Sequence, residues 1–343
     1  MKHRTFFWFI LPTLSAMVLF IALPIFSVFV QSLFVEHEKV LIISKSCGPF
    51  GCKETTSIDA EATAKLRAAQ PLGRFNGLGT YFDRSHLATA EVKKIWSTSN
   101  GFSAFISGLM DLKFYKAMIF TLTYTFTVTP VVLVLGFAIA VGVNNLPELV
   151  RGIAIFVSLL PFLVATIVGS MILSWMVDGE GIIGATIQKI FNDPTLSIKS
   201  STSLTWIMLI FYGVWHTLPF SFITFYAGLQ TVPRDILEAA RVDGANKWQS
   251  MMQIVVPHLM PLVSFVTLML LMDNFRVFEP IISFQAEAHA QSLSTFIQSD
   301  LREAGNPLYA SASATSMLTI IGVVILLIPV LIRTWRDFHQ KAH

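Results

Sequence analysis

Two short polar faces, each set in otherwise apolar sequence, carry the residue types that could hold a polar solute. Gly213, His216, Thr217 and Phe220 recur at i, i+3, i+4 and i+7, the spacing of one helical face. Leu270, Asp273, Asn274 and Val277 repeat that spacing about fifty residues later. A sugar site wants hydrogen-bonding groups beside flat aromatic faces, and Trp215, His216, Phe220 and Asn274 supply both. Polar groups inside apolar spans are expensive in lipid and by default face a cavity or a partner. Plainer readings stand beside this one: His216 as a bond to a neighbouring helix, and Asp273 as an ion pair with Arg276. Thr121, Thr123, Thr125, Thr127 and Thr129 alternate nearby, but threonine is tolerated in helices by bonding its own backbone. No G-x-x-x-x-G-K-[ST], H-E-x-x-H or G-x-S-x-G occurs. The chain therefore has no phosphate cradle and no visible hydrolase apparatus, and no catalytic residue is assigned.

The elements that position these faces are membrane spans. Of 343 residues, 54% are apolar and only 13% are charged, whereas a soluble domain is about 25% charged. Six runs are free of Asp, Glu, Lys and Arg: Thr5–Val35, Ala117–Pro147, Gly152–Val177, Ser200–Pro233, Trp248–Met272 and Ala304–Ile332. Each exceeds the about 20 residues needed to cross a bilayer. A soluble globule, a nucleic-acid binder and a disordered chain are excluded, and the net charge of +3 is no sign of a nucleic-acid partner. The expected fold is an all-α polytopic membrane protein with six transmembrane helices.

Six spans put both termini on one side. Lys2 and Arg4 precede the first run, and Arg333, Arg336 and Lys341 follow the last, so the positive-inside bias places both ends in the cytoplasm. The connection near 230–247, with Arg234, Arg241 and Lys247, falls on the same side. The segment 36–116 holds eleven Lys and Arg, but it exceeds the length of about 60 residues over which that bias operates. The first run is too long for the h-region of a cleaved signal, about 7–15 residues, and is expected to be retained as a span. The organisation read from the chain is thus 1–35 as cytoplasmic N-terminus and first span, 36–116 as an extracytoplasmic insertion, and 117–343 as a core.

The insertion contains both cysteines, Cys47-Gly-Pro-Phe-Gly-Cys52. An oxidising compartment favours a Cys47–Cys52 disulfide. Two free thiols are the plainer alternative. A metal site wants about four ligands and only His37 is near, so no metal is expected. A short helix is predicted over Ser57–Gln70, with Thr56 and Asp59 spaced as a capping box and Pro71 ending it.

The most informative segment is the connection between runs four and five. Pro233 suits the first turn of a helix. Ile236, Leu237 and Ala240 share one face and Arg234, Glu238 and Arg241 another. Gly244 sits where the helix must stop and the chain turn. A second short helix then leads to Pro257 and Pro261. Glu238-Ala239-Ala240, Gly244, Ile254 and Pro257 resemble the EAA signature of ABC importer permeases. The extended form from Glu238 through Asp243, Gly244 and Ala245 resembles the carbohydrate (maltose-type, binding-protein-dependent) branch. Phe9–Phe34, Phe75-Asn-Gly-Leu-Gly-Thr-Tyr81 and Arg276-Val-Phe-Glu-Pro280 resemble further phrases of that branch. Val256 stands where leucine is usual, the insertion at 36–74 is unusual, and the Gly-Gly-Pro often found after the fifth span is absent.

The resemblance implies a type I importer permease fold, with loop 230–257 carrying a cytoplasmic coupling helix that docks on a separate ATPase. It implies a second permease subunit, two ATPase subunits holding ATP and Mg, an extracytoplasmic solute-binding protein, and the inner membrane as location. No cofactor is expected on this chain itself. Counted from Glu238, the two polar faces fall where the larger permease subunit of maltose importers lines its sugar site. Asn274 matches an asparagine there, while Asp273 replaces an apolar position and Leu270 a small polar one. The expected cargo is a sugar or related polyhydroxylated solute, most simply an uncharged one. The rivals are a non-sugar ABC cargo (glycerol phosphate, a polyol, a sulfonated sugar) and an ion-coupled secondary transporter, which would show internal repeats.

Overall fold

A computed structural model describes residues 2–35, 40–48, 51–70, 72–99, 101–193, 197–302 and 309–341. Five helical stretches are long and apolar enough to cross a membrane: Trp8–Ser32, Lys113–Asn144, Thr166–Ile190, Thr202–Leu229 and Tyr309–Arg336. Lys247–His258 and Met260–Phe275 make a sixth if the pair, bent by 65°, is one span. Five of the six charge-free runs thus become spans or a bent span as expected.

The run Gly152–Val177 does not form one helix. It divides into Glu148–Leu163 and Thr166–Val177, with Val164 and Ala165 extended between them. Pro161, one turn before the break, has no N–H to continue the helical ladder.

The chain forms two compact units. One comprises Met1–Tyr115 with Phe296–Thr319, the other Lys116–Thr295 with Ile320–His343. In the first unit, helix Lys2–Met17 passes through a π-helical turn, Val18–Ala22, into helix Leu23–Ser32. Phe34–Val35 then pairs antiparallel with Arg74–Phe75, and Leu41–Gly48 pairs with Gly51–Ile58. The insertion thus adds two small strand pairs to an otherwise helical chain. The consecutive β-branched residues Ile42-Ile43 and Thr55-Thr56 favour strand over helix. That shortens the helix expected over Ser57–Gln70 to Ala60–Ala69, and Thr56 lies in the strand instead of a capping box. Asp59 is itself the cap, accepting from the N–H groups of Glu61 and Ala62 at 3.0 and 2.9 Å. Backbone pairing sets Cys47 opposite Cys52; their side chains lie outside the described residues, as does His37. Further along, His86 is buried, its Nε2 3.0 Å from the Ser311 carbonyl and 3.1 Å from Thr315 Oγ1.

In the second unit the core runs along one face of helix Lys113–Asn144 (Phe120, Tyr124, Val128, Val132) and meets Leu209, Phe222 and Phe225 of helix Thr202–Leu229. Val266 and Leu270 of helix Met260–Phe275 and Ile281 and Phe284 complete it. Thr121 and Thr125 donate to the carbonyls four residues back, at 2.8 and 2.7 Å, and Thr121 Oγ1 also accepts from the Leu293 N–H at 3.1 Å.

Candidate functional site

A cavity of about 390 Å³ opens in the second unit. Its wall contains Gly213, His216 and Thr217 from helix Thr202–Leu229, and Asp273, Asn274 and Val277 from the end of helix Met260–Phe275 and just beyond. The two polar faces read from the sequence therefore converge on one space. Two members stand apart from it. Phe220 lies 6.4 Å from the ring of Phe265, and Leu270 is buried in the apolar core.

The rest of the wall was not evident from spacing. Tyr124, Thr166, Tyr212, Arg276, Phe278, Glu279 and Pro280 also line it. Tyr212 precedes His216 by one helical turn, so the periodicity contained it. Thr166 could not be read from a run that looked like one uninterrupted helix. Tyr124 was hidden among alternating threonines that read as packing.

Geometry explains what each polar side chain is doing. Asn274, 3% exposed, donates from Nδ2 to Thr129 Oγ1 at 3.1 Å, which turns the amide across the gap between two helices. Arg276 Nη2 donates to Asp273 Oδ1 at 3.2 Å, an exposed i,i+3 pair. His216 Nε2 lies 3.2 Å from the Val164 carbonyl and 3.4 Å from Thr166 Oγ1. Tyr212 donates from its hydroxyl to the Thr166 carbonyl at 2.7 Å and its ring stacks on His216 at 5.8 Å. The helix break at Val164–Ala165 leaves the Val164 carbonyl outside the helical ladder, and His216 of the neighbouring helix lies within hydrogen-bond distance of it. Irregular backbone at membrane depth is tolerated where protein groups satisfy it or a cavity borders it, and here both hold. The plainer readings of His216 and Asp273 are thus realised in the same residues that line the cavity.

Gly213 is required by close approach. A Cβ there would collide with the hydroxyl and ring of Tyr124. Among the described residues no group of three or more His, Cys, Asp or Glu is arranged to hold a metal ion.

The second candidate feature is the loop 230–257. Arg234–Val242 is a helix capped by Pro233, which thus stands one position before the first turn, with Asp235 in its first turn and Arg241 in its last, a charge order that suits the helix dipole. It ends at Asp243. Gly244 adopts φ +83°, and the N–H groups of Gly244 and Ala245 return to the carbonyls of Arg241 and Ala240 at 3.1 and 2.9 Å, a left-handed helix stop. Asn246 and Gln249 then form a reciprocal capping box that starts the next helix. Leu237 packs against Val232, Val255 and Leu259. Glu238, Ala239, Asp243 and Gly244 are exposed, Ala240, Ala245 and Ile254 are half-buried, and Pro257 lies in the turn before the bend. Ile236 does not share the packed side; it is exposed with Val242, Trp248 and Met252, leaving four large apolar side chains uncovered on the loop.

Residues 100–339 match the family described as "Binding-protein-dependent transport system inner membrane component". The chain is 28% identical over 193 residues to the inner membrane ABC transporter permease protein YcjO of Escherichia coli (strain K12), covering 54% of this chain and 64% of that one. It is 29% identical over 173 residues to the trehalose transport system permease protein SugA of Mycobacterium tuberculosis, covering 50% and 55%. The chain thus spans less than two thirds of the length of these curated relatives. The crystal structure of a bacterial ABC transporter involved in the import of the acidic polysaccharide alginate contains a chain of like fold, with TM-score 0.60 and 17% identity over 81% of this chain and 97% of that one. The chain belongs to the family of binding-protein-dependent transport system inner membrane components, a family of transport subunits, and the insertion before residue 100 lies outside the matched region.

Proposed function

We propose that this member of the family is a permease subunit of an ATP-driven importer, forming half of a path for a sugar or related polyhydroxylated solute. The observation that carries the reading is the cavity wall. Hydroxyl, amide and imidazole groups from two helices face one space of about 390 Å³ beside the rings of Tyr124, Tyr212 and Phe278. That mixture of hydrogen-bonding edges and aromatic faces matches a polyol ring better than an inorganic ion or a lipid tail. The naming of one relative for trehalose transport, and of another, from Bacillus subtilis, for arabinooligosaccharides, supports the same class.

The loop 230–257 is the coupling element of this reading. Its exposed helix, with Ile236, Val242 and Trp248 uncovered, seats in a groove of a cytoplasmic ATPase subunit. Approach of two ATPases on binding nucleotide draws the coupling helices of two permeases together. The bent pair Lys247–His258 and Met260–Phe275 transmits that motion to Asp273 and Asn274 as a rigid lever. Both termini and this loop then lie in the cytoplasm, and 36–116 lies outside, where a solute-binding protein delivers cargo. This chain holds no nucleotide itself; ATP and Mg belong to the ATPases.

The deciding experiment is uptake into vesicles containing the assembled transporter and its binding protein, with labelled trehalose and an arabinose trisaccharide as probes. Uptake that stops when ATP is withdrawn, and is indifferent to ion gradients, is the expected result. Uptake that persists on an ion gradient alone would replace this reading with a secondary transporter.

A further inference from the structure

The cavity contains a group that neither the family match nor the two helical faces assign. Tyr124 is 3% exposed, yet its hydroxyl has no hydrogen-bond partner among the described residues. It is not among the described polar atoms that are sealed from solvent and unpaired, so the oxygen opens onto the space that its side chain lines. Gly213 makes the room for it: with any larger residue there, the Tyr124 ring and hydroxyl would have to move. A hydroxyl that faces the cavity without a protein partner offers one donor and one acceptor to a solute that enters it.

The charge around that hydroxyl is unbalanced. Three formally charged side chains line the cavity: Asp273, Arg276 and Glu279. Arg276 is taken up by Asp273 at 3.2 Å. Glu279 is exposed and, among the described residues, no cation pairs with it. It occupies the first turn of helix Glu279–Ser283. Of these three side chains one is positive and two are negative.

We propose that Tyr124 is a cargo-contacting residue of this cavity, bonding a hydroxyl of the solute, and that Glu279 makes the site select neutral or amino-bearing sugars over acidic ones. This rests on the proposed importer function and narrows its cargo. A carboxylate- or phosphate-bearing solute would enter against Glu279 with Arg276 already engaged, whereas a neutral sugar pays no such repulsion and an amino sugar gains attraction.

The site can be tested without knowing the cargo. In the assembled transporter, with Cys47→Ser and Cys52→Ser, Tyr124→Cys places a thiol at the wall. Permeabilised membranes are treated with methanethiosulfonates carrying either a trimethylammonium or a sulfonate group, and each rate is divided by that for a small free thiol. The cationic reagent is expected to be favoured about tenfold, the size of one unit charge at cavity distances, and Glu279→Gln should bring the ratio to about one. A thiol inert to both reagents, or equal normalised rates with Glu279 present, would overturn the proposal. As a second measurement, Tyr124→Phe keeps the ring and should raise the KM for ATP-driven trehalose or arabinose-trisaccharide uptake about fivefold, the loss of one hydrogen bond. Wild-type uptake of a uronic acid trisaccharide as fast as of the neutral probes would also sink the charge selection. Absence of ATP-driven uptake for every probe would defeat the importer reading, and the thiol rates would still decide whether Tyr124 and Glu279 form the site.

Discussion

Asn274 reaches across the second unit to Thr129, a residue 145 positions earlier, with Nδ2 3.1 Å from Oγ1 and both side chains at least 96% buried. The bond fixes the face of the amide that borders the cavity. Thr129→Val removes the acceptor and leaves the amide without a partner on that side. Thermal unfolding of the detergent-purified complex should show a loss of about 1 kcal/mol, in the range found for buried polar pairs between membrane helices. Asn274→Leu removes the amide from the cavity as well. Its KM for sugar uptake should therefore rise well beyond that of Thr129→Val. Equal KM values for the two variants would mean that Asn274 serves packing alone.

Gly213→Ala should be far more harmful than its single methyl group suggests, because the Tyr124 ring and hydroxyl occupy that space. Overpacking of this kind costs about 1–3 kcal/mol. The double variant Gly213→Ala with Tyr124→Leu should recover stability in a thermal unfolding assay, while uptake remains low because the hydroxyl is gone. Failure of the second change to recover stability would place the clash elsewhere.

His216 faces the Val164 carbonyl at the helix break, and Tyr212 holds the Thr166 carbonyl at the start of the next helix. His216→Gln keeps a donor at similar reach and should retain most uptake, whereas His216→Ala combined with Tyr212→Phe should lower the maximal rate of uptake more than it raises KM. A change in KM alone would assign both residues to cargo contact without a positioning role.

At Gly244 the backbone sits at φ +83° with open space around it, so substitution there is resisted by conformation and not by crowding. Gly244→Ala should lower stability by about 1 kcal/mol. Gly244→Pro, whose ring cannot reach a positive φ, should leave the transporter assembled but separate ATP hydrolysis from uptake, as should Glu238→Lys. Wild-type uptake per ATP in the Gly244→Pro variant would remove the loop from the coupling path.

The hairpin register sets Cys47 opposite Cys52, in keeping with the disulfide expected for an extracytoplasmic segment. Alkylation of intact cells under non-reducing conditions should leave both cysteines unlabelled until a reductant is added. Labelling without reductant would show free thiols.

Much of this arrangement was legible in the residues themselves. Charge-free runs mark spans because lipid excludes charge, and the stop at Gly244 is visible because so few residues adopt its φ. The convergence of Gly213, His216, Thr217, Asp273 and Asn274 followed from helical spacing applied twice. The break at Val164–Ala165 was only partly legible: Pro161 lacks the N–H that continues the ladder, but valine and alanine carry no turn signal that fixes where the helix stops. The rest is tertiary, since His216 of another helix faces the Val164 carbonyl. Tyr124 was missed for a related reason. Its neighbours Thr121 and Thr125 do donate to their own helix, so a pattern true of them concealed the one residue on that face that points into open space. The strand pairs of the insertion were missed because short apolar segments between polar ones read equally as loop.

The first span shows a different economy. Its stretch Trp8–Ser32 has none of its most apolar window buried within the protein, and Phe9, Phe20 and Phe26 stand 81%, 75% and 66% exposed. A helix so placed gains almost nothing from tertiary packing and nearly everything from leaving water. Its 25 residues make a rod of about 37 Å, somewhat longer than the about 30 Å of hydrocarbon, a mismatch that tilt absorbs. Its residence in the bilayer therefore rests on the partition of the helix itself and little on contacts within the chain.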